Sequence, residues 1–201
     1  MVTSIKDTLF PKPPQLILDV VHCIKLVRNC LGSYKVLQND NGEAIEFSYF
    51  EKLHEIQKSE GLHLATKITS NHIDYKSQVM KTKFAVQLLS RSVSKALDYL
   101  RLDLKHQGFS GSAATSEFCL IFNNLFDVLN SRSIFSKYLK APTQDKNKHV
   151  WQEVFSTASR YILGLKDANG TPIIQSRRKM GFLGKSLYMW KGLITDYKQK
   201  G

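Results

Sequence analysis

The stretch Thr115–Asn130, TSEFCLIFNNLFDVLN, constrains the fold of this chain more than any other. Phe118, Ile121, Phe122, Leu125 and Leu129 recur at steps of three and four residues, the spacing of one helical face. A stripe of that width has to be buried against other elements, so the helix belongs in a packed core. With 42% hydrophobic and 10% aromatic residues the chain can supply that core, which excludes a disordered tail. The length, 201 residues, suits one domain or one domain plus a piece of another.

Helical signals dominate the rest. Gln15–Val21 is a short apolar run that reads as a buried strand, and His22–Gly32 follows as a helix with Gly32 as its C′ stop. Two short runs around Asn39-Asp40-Asn41-Gly42 predict a β-hairpin. Ser48 is placed to cap a helix that runs to Glu60 and stops at Gly61. Residues 71–106 read as helix in two pieces, with Phe84, Leu88, Val93, Ala96, Leu97 and Leu100 on the apolar face. After a polar loop, Ser112 or Thr115 starts the helix of the opening stripe. A second loop at 141–149, a helix over Trp151–Lys166, a turn at DANGTP and a last helix over Leu183–Lys198 complete the pattern. The expected class is mainly α (α+β).

Charge and cysteines narrow the function classes. Against 17 Asp and Glu stand 29 Lys and Arg, a formal charge of +12 that suits a polyanionic partner. Cys23, Cys30 and Cys119 form no CxxC pair and sit in apolar surroundings, which reads as buried reduced thiols in an intracellular protein. The six histidines lack HxxxH or HExxH spacing, so no zinc site is expected. No apolar run reaches the ~20 residues that span a bilayer. The start, MVTSIKDTLFPKPP, has no apolar core of a signal peptide.

Four features invite a chemical reading. GFLGKS (Gly181–Ser186) ends like a P-loop, but Lys179 stands where the first glycine is required, so it reads as a helix start. Asp19, at the end of the apolar run, is a candidate metal carboxylate or, more plainly, a helix N-cap. Lys67, Lys81, Lys83 and Arg91 can neutralise phosphates, although a solvated face is the plainer reading. Finally, Phe126, Asp127 and Asn130 share one side of the opening helix. An aromatic ring, a carboxylate and an amide there can stack on guanine, accept from its N1–H and amine, and donate to a ring acceptor. Pattern alone favours a helix-end Asn and an exposed Asp.

Five blocks change that weighting. LDVVHCIKLVRN (Leu18–Asn29) resembles the D-x-x-H-x-x-K-L-x-R-N signature of P element-type transposases, a family that includes members with a THAP DNA-binding domain. EGLHLATKITSNHI (Glu60–Ile73), MKTKFAVQLLSRSVSKAL (Met80–Leu97), TSEFCLIFNNLFDVLNSR (Thr115–Arg132) and RRKMGFLG (Arg177–Gly184) follow in the family's order, so the resemblance covers nearly the whole chain.

The resemblance implies an RNase H-like catalytic core interrupted by a mostly helical GTP-binding insertion. Residues 1–32 would be the end of the first RNase H-like half and residues 33–201 the insertion. Asp19 would be the second catalytic carboxylate and a Mg²⁺ ligand. Phe126, Asp127 and Asn130 match the guanine-contacting element, Lys67 the lysine of an N-K-L/I-T block in which this chain has Thr66, and Lys81, Thr82 and Ser90 the block lining the nucleotide. Thr82 stands where an apolar residue is expected against the base. In the family a first catalytic Asp and a THAP zinc motif lie upstream of these blocks and a Q-D-H-x-E block downstream; this stretch holds none of them and alone is not expected to cut or join DNA.

The expected function is guanine-selective GTP binding without hydrolysis, since no residue set resembles a catalytic GTPase: no P-loop, no switch-type DxxG and no placed glutamine. The expected partners are GTP and transposon-end DNA in the nucleus, with no membrane. An unpaired edge on the first strand invites a homo-oligomer. The alternative is a domesticated remnant acting as a basic helical interaction module without nucleotide binding.

Overall fold

The computed structural model describes residues 20–61, 64, 68–131, 138–141 and 144–175. Helix α1, Val20–Tyr34, comes first, so Val20 and Val21 are helical rather than the end of a strand. Residues 15–19 of that expected strand lie outside the described residues.

Gly32 does not stop α1. It sits inside the helix because the Tyr75 ring lies against it, and a Cβ there would meet the ring at 2.7 Å. The left-handed stop falls three residues later at Lys35, with φ 65° and its N–H donating to the Leu31 carbonyl at 2.8 Å. A lysine tolerates that conformation here with its Nζ placed 2.9 Å from Glu51 Oε1 and 4.7 Å above the Phe47 ring.

The hairpin forms as the sequence reads. Strands β1, Val36–Gln38, and β2, Ala44–Glu46, pair antiparallel with Leu37 opposite Ile45, both fully buried. A third strand, β3, Lys166–Asp167, pairs antiparallel with the other edge of β1, giving the order β2-β1-β3. Nothing in its two residues signals a strand. It also ends the preceding helix early: α7 runs Lys148–Gly164, not Trp151–Lys166.

Helix α2 spans Ser48–Glu60 and ends at Gly61 with φ 65°. Ser48 does not cap it; its hydroxyl donates to Glu46 Oε2 at 2.7 Å, and Phe47 occupies the cap position. The expected two helical pieces over 71–106 are shorter and more numerous: α3, Ser70–Ile73, α4, Thr82–Leu88, and α5, Arg91–Asp98, which widens into a π-helical turn over Tyr99–Asp103. Of the expected apolar face, Leu88, Val93, Ala96, Leu97 and Leu100 are buried, while Phe84 is only partly covered.

Helix α6, Ala113–Leu129, carries the opening stripe. Phe118, Ile121, Phe122 and Leu125 are buried and Leu129 packs partly covered against them. Ser112 holds the cap position without making a side-chain cap bond. α6 lies between α5 and α7 and also meets β2 and α1, and α1 in turn packs on α4. Buried polar groups tie these layers together. Ser94 and Ser116 share a hydroxyl hydrogen bond of 2.9 Å across α5 and α6. Thr115 Oγ1 accepts from the Glu46 N–H at 3.0 Å, joining α6 to the sheet.

Cys30 and Cys119 are buried and Cys23 half-buried, and none of the three is in a disulfide. No described helix is long and apolar enough to cross a membrane. The expected helix over Leu183–Lys198 and the GFLGKS segment lie outside the described residues.

Candidate functional site

The C-terminal half of α6 and the start of α5 build one polar assembly. Ser90, the N-cap of α5, is extended and its Oγ accepts from the Val93 N–H at 3.4 Å. The first amide of α5, on Arg91, donates to Asn123 Oδ1 on α6 at 3.1 Å. Two of the orphan donors at the helix start are thereby satisfied. The Arg91 guanidinium reaches further along α6 and donates to Asn124 Oδ1 at 2.9 Å.

Asn123 passes the constraint on. With its carbonyl oxygen used by Arg91, its Nδ2 donates to Asp127 Oδ2 at 3.1 Å, one turn further along α6. The other oxygen, Oδ1, lies 3.9 Å from Lys140 Nζ, on the short 3₁₀ turn Tyr138–Lys140. The Asp127 side chain is 20% exposed and that of Lys140 66%. The carboxylate is thus fixed on one oxygen by an amide and screened on the other by a loosely placed cation, which leaves that oxygen able to exchange partners.

Asn130 is the C-cap of α6, its N–H donating to the Phe126 carbonyl at 2.9 Å, so the plain reading of a helix-end Asn describes its position. The plain reading of an exposed Asp does not describe Asp127. Phe126 is half-buried and packs against the core. Lys81 is the extended N-cap of α4, and Thr82 its first helical residue. Ser90 lies two residues past the end of α4. Lys81, Lys83 and Arg91 are all exposed, as a solvated face requires. Asp19 and Lys67 lie outside the described residues.

Asn123 and Lys140 are the participants that sequence reasoning missed. Asn123 stands four residues before Asp127, a helical spacing that announces the contact, whereas the link to Arg91 is tertiary. Among the described residues no group of three or more His, Cys, Asp and Glu side chains can hold a metal ion, so the expected Mg²⁺ has no ligand set there.

A family model described as "TNP-like, GTP-binding insertion domain" matches residues 21–142, a span that holds Lys67, Lys81, Thr82, Ser90, Phe126, Asp127 and Asn130 but not Asp19. The DNA transposase THAP9 of Homo sapiens is 33% identical over 166 residues, covering 83% of this chain and 18% of that protein. The chain therefore spans less than a fifth of the length of that relative. The Drosophila P element transposase strand transfer complex shares the fold with a TM-score of 0.61 at 24% identity, over 72% of this chain and 32% of that one.

Proposed function

The chain belongs to the TNP-like GTP-binding insertion domain family, and from that premise we propose that it binds GTP selectively through its guanine base, does not hydrolyse it, and helps to position DNA. The observation that carries this reading is the tethering of Asp127 by Asn123 beside a half-buried Phe126. A carboxylate so held presents acceptors to the N1–H and exocyclic amine of guanine. Adenine lacks that pair of donors, and a partly buried acceptor left without them costs about 1–3 kcal/mol. Asn130 donates to a ring acceptor from the helix end, and Phe126 covers one face of the base.

Lys81 and Lys67 neutralise phosphate charge in this proposal, while Thr82 and Ser90 line the nucleotide. Residues up to 32 are the close of an RNase H-like half, with Asp19 as its Mg²⁺ carboxylate, and residues 33–201 are the insertion. Cutting and joining of DNA belong to the RNase H-like core. The basic surface contacts transposon-end DNA in the nucleus with strong salt dependence. Self-association remains part of the proposal.

A second reading, a basic helical module that binds no nucleotide, draws on one observation: both oxygens of Asp127 already have protein partners. Titration with GTP and ATP, followed by thermal shift and calorimetry, separates the two. Stabilisation by GTP alone, lost in Asp127→Ala, supports the GTP site; at 100 times Kd it amounts to about 2.7 kcal/mol. A cooperative melt unmoved by either nucleotide selects the second reading.

A further inference from the structure

Arg28 is 1% exposed, yet no carboxylate faces it among the described residues. Its Nη2 donates to two consecutive backbone carbonyls, Gln78 at 2.8 Å and Val79 at 3.2 Å. The neighbouring Asn29 adds a donor to the same Val79 carbonyl at 3.3 Å. The guanidinium Nε and Nη1 and the Asn29 Oδ1 are buried with no partner among the described residues. A buried cation that leaves two nitrogens idle is a poor choice for stability, since an apolar side chain of similar volume does as well or better. What it does supply is grip on one short stretch of backbone, because the terminal Nη2 at the end of a long side chain reaches both carbonyls.

That stretch leads directly into Lys81 and Thr82. Met80 is 70% exposed and Val79 40%, so the end of the loop nearest Lys81 gains little from packing, while its start is held on α1 by the buried Tyr75 ring. On the other side, Arg28 and Asn29 belong to α1, which begins at Val20, the residue after Asp19 in sequence. Helix α1 also packs on α4, the helix that Lys81 caps.

We propose that Arg28 and Asn29 are positioning residues that lock the nucleotide-lining loop at Lys81–Thr82 to helix α1, so that nucleotide binding is transmitted to the helix adjoining the Asp19 segment. This rests on the proposed function, because Lys81 and Thr82 matter here as nucleotide contacts. The clamp acts through hydrogen bonds to main-chain oxygens and does not touch the nucleotide. A ligand that orders the loop thereby orders α1, and freeing the loop weakens the ligand by the same factor, as linkage requires.

The test uses the full chain with GTP, calorimetry for affinity and amide hydrogen exchange for the site of ordering. Arg28→Lys keeps the charge but ends one bond short of the Nη2 position that holds both carbonyls; Asn29→Ala removes one donor at a less buried position and guards against a failure to fold. Cys30→Ala, also on α1 and buried, lowers stability without touching the clamp. In wild type, GTP slows exchange both at Thr82–Ala85 and at Arg28–Leu31. In Arg28→Lys the slowing at α1 disappears and affinity falls roughly 5- to 150-fold, the usual range for coupled sites. Asn29→Ala moves both readouts less, in the same direction, and Cys30→Ala moves neither. If wild type binds GTP and both clamp variants match it, or if Cys30→Ala weakens binding as much as Arg28→Lys, the clamp has no such role. If wild type takes no GTP at all, the proposed function fails and this inference with it.

Discussion

The α5–α6 interface and the α1–α4 interface handle buried polar groups in opposite ways. At α5–α6 nearly every polar atom meets a partner of matching role. Ser94 and Ser116 bond each other, and the Ser116 hydroxyl also reaches the Ser94 carbonyl at 3.1 Å. Arg91, Asn123 and Asp127 form a chain in which each acceptor is used. At α1–α4, Arg28 and Asn29 keep buried atoms without partners among the described residues, and burial pulls the pKa of the Arg28 guanidinium below its ordinary value. The first interface is held by complementarity. The second retains groups that cost stability, which is expected where a side chain is kept for the geometry it imposes.

The largest effect around α6 is expected from Phe118→Ala. Phe118 is fully buried in α6, its ring tilted against that of Phe122 with centroids 4.7 Å apart, so its removal should cost about 3–5 kcal/mol by denaturant unfolding. Ser116→Ala should cost about 1–3 kcal/mol, because it strips a partner from the buried Ser94 hydroxyl. The contrast predicts the opposite for Arg28→Met, which should match or exceed wild type in unfolding midpoint while releasing the 78–79 loop. A large loss there would erase the distinction between the two interfaces.

A pH scan probes the same region. His72 is 1% exposed, its Nδ1 accepts from the Thr69 N–H at 3.0 Å and its Nε2 pairs with Gln87 Oε1 at 3.0 Å. The Thr69 bond requires an unprotonated Nδ1, which places the proton on Nε2. Burial holds its pKa below 6.5, with the charges of Arg28 and His54 acting in the same sense against bonds that raise it. The unfolded chain then takes up this proton first. Stability should be full above about pH 6.5 and decline as pH falls from there toward the folded pKa, and His72→Gln should flatten that decline. The smallest effect is expected from Lys140→Ala: its exposed pairing with Asp127 contributes about 0–1 kcal/mol, so the melting temperature should barely move.

The parts of the fold that were legible in sequence are those set by neighbours along the chain. The hairpin around Asn39–Gly42, the left-handed stop at Gly61 and the buried stripe of α6 each follow from turn chemistry or helical period. The misreadings share a different origin. Gly32 looked like a stop and became an interior position because a distant Tyr75 ring needed the room. Ser48 looked like a cap and instead bonded a strand carboxylate. Strand β3 was invisible because two residues carry no period, and their pairing with β1 is decided by how α7 returns to the sheet.

The candidate site divides along the same line. The residue types at 126, 127 and 130 and their common side were set by the sequence, because helical spacing alone brings them together. That Asp127 is held rather than loose was decided by tertiary structure, through Asn123 and the Arg91 amide of another helix. Likewise the RN pair at 28–29 is visible in the chain, but its grip on the carbonyls of 78 and 79 exists only once α1 and α4 pack. Local periodicity determines which face a side chain occupies; the groups it meets there depend on contacts between segments far apart in sequence, which no short window contains.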